Sequence, residues 1–235
     1  MTIRAAGTSP LVYARAAGLL YLSLLPLGFF GLYVTARLVV PGDAATTVGN
    51  ITASEPLFRL GIVSALLVQV VNIFVVLALY QLLKPVGRNA AFLMVLFLLL
   101  GVPIAMLNEL NQIAVVLVLG GAGQSAPSSS GQLQALVPMF LALHEHGISI
   151  AGIFWGLWLL PMGYLVFRSR FLPRVLGVLL IIGGCGYLID SFAALLLPDY
   201  GVKLALFTFW GEVLLPLWLL IKGVDVEQWE KRARA

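Results

Sequence analysis

Charge is scarce in this chain. Asp, Glu, Lys and Arg make up 10% of its 235 residues, against about a quarter in an ordinary soluble domain. Cysteine is scarcer still: Cys185 stands alone, which excludes an internal disulfide and any cysteine-based metal motif. There are two histidines, His144 and His146, too few and too close in sequence to supply the two axial ligands of a haem. No HExxH or HxxxH pattern, no phosphate-binding glycine loop and no c-type haem motif occurs. No cofactor is evident.

What the chain has is apolar length. It is 61% hydrophobic, with a mean hydropathy of +1.03. Runs of about 20 apolar residues recur, the length that crosses about 30 Å of hydrocarbon. Six spans account for them, at residues 12–36, 58–83, 90–119, 139–167, 174–197 and 203–222. The breakers lie between them: Lys84 to Asn89, the Gly/Ser-rich stretch Gly120 to Gly131, Arg168 to Arg174, and Pro198 to Gly201. The first run is too long for the apolar region of a cleaved signal peptide and reads as a retained span.

Charge then orients the spans. With the N-terminus in the cytoplasm, the inner side receives Arg4, Arg15, Lys84, Arg88, Arg168, Arg170, Arg174, Lys222, Lys231, Arg232 and Arg234. The outer side receives only Arg37, Arg59 and Lys203. The positive-inside rule selects this arrangement, and the basic residues need no nucleic acid to explain them. In the first outer connection, Pro41-Gly42-Asp43 reads as a turn and N-cap. A short surface helix follows from Ala44, stopped before Pro56. Residues 132–143 read as beginning on the outer face before descending. The tail from Asp225 to Ala235 mixes charges with Trp229 and reads as an interfacial helix on the cytoplasmic leaflet. The expectation is an all-α polytopic membrane protein: one domain over 1–235, six transmembrane helices, both termini cytoplasmic, and a short tail at 225–235.

Polar residues inside these spans are the functional signal, because charge at bilayer depth costs about 3 kcal/mol or more. They are Glu109, His144, Glu145, His146, Asp190 and Glu212. At about 1.5 Å of rise per residue, all fall in the outer half of the bilayer, which predicts one polar cavity open to that side. Asn108, Asn111 and Gln112 share a face beside Glu109 at helical spacing. Gln69 and Asn72 form a similar pair that reads as glue between helices. Pro26, Pro103, Pro161 and Pro216 kink their spans, and Pro216 leaves the carbonyl of Glu212 without its helical partner. Gly152 and Gly156 offer close helix contact, and Gly183, Gly184 and Gly186 thin the fifth span.

The ligand-binding set is therefore Asn108, Glu109, Gln112, His144, Asp190 and Glu212. A metal alternative uses His144, Asp190 and Glu212 as N/O ligands. His144 and His146 point about 200° apart on a helix and chelate one ion only if the helix breaks at Gly147.

Several stretches carry a family resemblance: Ala14 to Tyr21, Asn50 to Glu55, Leu57 to Gly61, Leu143-His144, Gly163-Tyr164, Arg168-Ser169, Phe171 to Gly177, Tyr187 to Phe192, Gly211-Glu212 and Lys222 to Val224. In order and over nearly the whole chain, they resemble the DUF4386 family of bacterial multi-pass membrane proteins. His144, Asp190 and Glu212 fall in matching stretches; His146 departs, where a tyrosine is the family's habit. The resemblance implies a bacterial cytoplasmic membrane and brings no biochemical activity. Three functions fit the residues. The first is a small-ligand or ion binding, transport-like protein with a pH-responsive His144. The second is an intramembrane enzyme acting on a lipid or amphiphile, with Ser191 as a weak nucleophile candidate. The third is a structural or accessory subunit. The bilayer is the one certain partner; oligomeric state is unreadable.

Overall fold

A computed structural model describes residues 9–120, 135–197 and 200–234. Arg4, most of the Gly/Ser-rich stretch, the start of the 132–143 segment and Pro198-Asp199 lie outside the described residues.

Among the described residues every regular element is helical. The long helices are α1 (Pro10–Leu38), α3 (Glu55–Leu83), α4 (Arg88–Leu119), α5 (Val137–Ser169) and α6 (Arg174–Leu196). These five are long and apolar enough to cross a membrane. Between α1 and α3 lies α2 (Ala44–Ala53). The last apolar segment is broken into α7 (Ala205–Thr208) and α8 (Trp210–Ile221), followed by α9 (Val226–Arg234). Ala205–Ile221 makes a sixth crossing only if it is taken together with α9, from which it is bent by 101°.

The local chemistry sets these bounds. Asp43 caps α2 by accepting the Thr46 amide at 2.9 Å. Gly42 takes φ +79° in the preceding turn, a left-handed conformation that glycine adopts without strain. Pro56 sits in the first turn of α3, where its missing N–H costs nothing. The turn from α8 to α9 uses Gly223 at φ +70°.

The helices form a closed ring. α1 packs on α3, α3 on α4, α4 on α5, α5 on α6, α6 on α8, and α8 returns to α1. One end carries α2. The other carries α9, held by Trp229 Nε1 donating to the Leu82 carbonyl at 2.8 Å and by Arg232 donating to the Arg168 carbonyl at 3.1 Å.

Glycine sets the closest approach, between α5 and α6. A Cβ on Gly163 would come within 2.6 Å of the Gly177 carbonyl, and one on Gly156 within 2.8 Å of the Gly184 carbonyl. Small residues let transmembrane helix backbones meet this way. Outward, Leu60, Val63, Leu67, Val70, Phe74 and Leu77 form an exposed stripe along α3. Their three-and-four spacing follows one helix face, and so large an apolar surface calls for lipid.

Two apolar clusters fill the ring. The larger includes Tyr21, Val75, Leu79, Met94, Leu98, Trp158, Leu159 and Leu215. The smaller, at the α2 end, includes Val34, Ile51, Phe58, Ile62, Val115 and Val137. Along α3, α4 and α5 the polar residues fall between them in sequence: Ser64, Gln69 and Asn72, then Asn108, Glu109 and Gln112, then His144.

Candidate functional site

Glu109 and His144 face each other across the α4–α5 contact. Glu109 Oε1 lies 3.0 Å from His144 Nε2, with side chains 4% and 17% exposed respectively. Gln112 Nε2 lies 3.0 Å from the same His144 Nε2 and 3.4 Å from Nδ1. Asn108 Nδ2 donates to the His144 carbonyl at 2.8 Å, and Asn111 Nδ2 donates to Asn108 Oδ1 at 3.0 Å. Asn108 rests directly on Gly147, where any Cβ would overlap its amide. The second carboxyl oxygen, Glu109 Oε2, is buried and has no hydrogen-bond partner among the described residues.

The structure brings Asn108, Glu109, Gln112 and His144 together at the α4–α5 contact and sets Asp190 and Glu212 apart from them. Asp190 belongs to another group. Its Oδ1 accepts from the Tyr200 hydroxyl at 2.7 Å and the Leu204 amide at 2.9 Å, and its Oδ2 from the Ala205 amide at 2.8 Å. It caps α7 from a neighbouring helix. The bond to Asp190 raises the Tyr200 pKa above its usual range. Gly186 leaves no room beside Asp190, because Thr208 covers it.

Glu212 forms a third group. Its Oε2 accepts from the Tyr21 hydroxyl at 3.0 Å, Tyr187 stands near it, and its buried Oε1 meets no hydrogen-bond geometry among the described residues.

These groupings correct the metal set of His144, Asp190 and Glu212. Among the described residues no three His, Cys, Asp or Glu side chains gather where they could hold an ion, because Asp190 spends both oxygens on backbone and tyrosine donors. α5 runs unbroken through Gly147, so His144 and His146 keep to different faces. His146 and Glu145 are exposed, and Glu145 lies 3.9 Å from Lys203. Ser191 is buried against Gly152, with no base bonded to it among the described hydrogen bonds.

The sequence reading missed Tyr21 and Tyr187. The signal was available: tyrosine favours the membrane interface, whereas Tyr21 lies well inside α1, next to the small face of Ala14, Ala17 and Gly18.

The profile described as "Domain of unknown function (DUF4386)" matches residues 16–223. The chain belongs to the DUF4386 family. A protein of Archaeoglobus fulgidus with the printed name "Uncharacterized protein" is 32% identical over 162 residues, covering 69% of this chain and 83% of its own length. No solved structure matches. The family match agrees with the resemblance read from the quoted stretches. The archaeal relative leaves the restriction to bacteria unsupported. Family and fold together describe an integral, multi-pass membrane protein of the DUF4386 family.

Proposed function

We propose that this DUF4386 protein binds a small ligand or ion within the membrane, as transport proteins do, through Glu109, His144 and Gln112. The observation that carries this is the unpartnered Glu109 Oε2 beside a His–carboxylate pair, buried between α4 and α5. The free oxygen supplies an acceptor for an incoming donor or cation. The pair sits toward the α2 end of the ring. With the cationic connections at the α9 end facing the cytoplasm, that is the outer half of a cytoplasmic membrane, in one six-helix domain with both termini inside.

The test is the melting temperature of detergent-purified protein against Li⁺, Na⁺, K⁺, Mg²⁺ and Ca²⁺ at pH 5.5 and 7.5. The expected result is a saturable rise of several degrees with one cation, dependent on pH and lost in Glu109→Gln and His144→Gln. If no cation raises the melting point, and both variants merely lower it, the pair is glue between α4 and α5.

A further inference from the structure

The short connection between α5 and α6 is held firmly. Ser169 Oγ donates to the Val166 carbonyl at 2.8 Å and accepts the Leu172 amide at 3.2 Å. Phe171 and Leu172 are buried, and the Phe171 carbonyl accepts the Asp225 amide at 3.3 Å.

Arginines gather on this fixed connection. The Arg168 guanidinium stands over the Tyr164 ring, 5.9 Å from its centroid. Arg174, the first residue of α6, reaches across to α5 and stands over the Phe167 ring at 5.7 Å. Arg232 of α9 donates to the Arg168 carbonyl at 3.1 Å, which brings a third guanidinium to the same place. The nearby carboxylates do not balance them. Glu227 pairs with Lys231 and Glu230 with Arg234, both within α9, and Asp225 accepts the Gln228 amide. Among the described residues Arg168, Arg174 and Arg232 have no carboxylate partner.

The number of cations at this end bears on orientation; their seating on rings is a separate observation. A ring engages the face of a guanidinium and leaves its N–H edge free, and that planar fork matches a phosphate. The rings themselves look outward: Tyr164 is 49% exposed and Phe167 38%. With Arg168 they share one face of α5 by their three-and-four spacing. On α6, Val175, Val178 and Ile182 are exposed. The close approach at Gly163 and Gly177, and the reach of Arg174 to Phe167, join these side chains into one apolar strip leading up to the arginines. A free anion has no use for such a strip. A phospholipid does, because its acyl chain accompanies its phosphate.

We propose that Arg168, Arg174 and Arg232, seated on Tyr164 and Phe167, form a selective site for the phosphate of an anionic glycerophospholipid. Its acyl chain lies along the exposed α5–α6 strip. The site shares no residue with Glu109 and His144.

The test is native mass spectrometry of the full chain in detergent, titrated with phosphatidylglycerol or phosphatidylcholine of matched acyl chains. One phosphatidylglycerol should bind saturably, about tenfold tighter than phosphatidylcholine. The double variant Arg168→Gln, Arg174→Gln should lose that preference. Arg15→Gln with Lys84→Gln removes the same charge from α1 and α3, across the ring, and should keep it. Arg168→Lys with Arg174→Lys retains the charge but not the fork, and should weaken binding about threefold. If the glutamine pair is not monodisperse, Tyr164→Leu with Phe167→Leu takes its place, with the same direction of loss. Equal binding of the two lipids, or equal loss in the Arg15, Lys84 variant, reduces the effect to general attraction between charges and overturns the site. Full binding in the lysine pair overturns it too. Displacement of the lipid by equimolar glycerol phosphate overturns its assignment to a lipid.

Discussion

Asp190 and Glu109 are both carboxylates set in apolar helices, and their surroundings give them different work. Asp190 accepts three donors and fastens Tyr200 and the start of α7 to α6. Asp190→Ala should therefore lower stability by about 1–3 kcal/mol, as loss of a cap and its bonds does. It should leave any Glu109-dependent binding in place; a denaturation curve beside a binding curve checks both. At the α2 end, Asp43 has its pKa lowered, chiefly by the Thr46 hydroxyl and then by the Thr46 amide. A lowered carboxyl pKa contributes stability above the ordinary value of 3.8. That contribution fades as pH falls through the lower, folded value. The melting-temperature difference between the native chain and Asp43→Ala should be present at pH 7 and shrink as the pH falls below 3.8. Sequence showed which residues were polar at depth, because an isolated charge stands out in an apolar run. It could not show that Asp190 meets the amides of a helix start 14 and 15 residues on, since that contact is set by tertiary packing.

At the scale of elements, the spans were legible. The five long helices begin and end within a few residues of their expected limits, because proline, glycine and basic turns punctuate them. α2 and its Asp43 cap were legible for the same reason. The last span was not: hydropathy runs evenly across Phe209, while the chain breaks there into α7 and α8. The α5–α6 contact makes the sharpest prediction at this scale. Gly163→Ala and Gly177→Ala press a methyl against backbone that cannot rotate away. Each should cost about 1–3 kcal/mol. Gly28→Ala, with nothing near its added carbon, should be neutral or slightly stabilising. Equal losses at all three sites in detergent unfolding would contradict the close approach.

At the scale of the whole molecule, the proposed orientation rests on the distribution of cations. Lys84, Arg88, Arg168, Arg170, Arg174 and Lys222 all lie at connections on the α9 end. In a Cys185→Ala background, a membrane-impermeant maleimide should label Ala45→Cys on intact cells. Ala233→Cys should be labelled only after lysis. The reverse pattern would invert the bundle.

The ring itself has a consequence for how the protein is made. α1 leaves the ribosome before the other helices of the ring, and its partner α8 after them. Gly18 of α1 lies so close to α8 that a Cβ there would reach the Pro216 carbonyl at 2.8 Å, and Tyr21 waits for Glu212. Until translation passes residue 221, the first span holds its small-residue face and its tyrosine open to lipid or to a holding factor. A nascent chain stalled before Ala205 is an open arc with two unsealed helices, a natural substrate for membrane quality-control proteases.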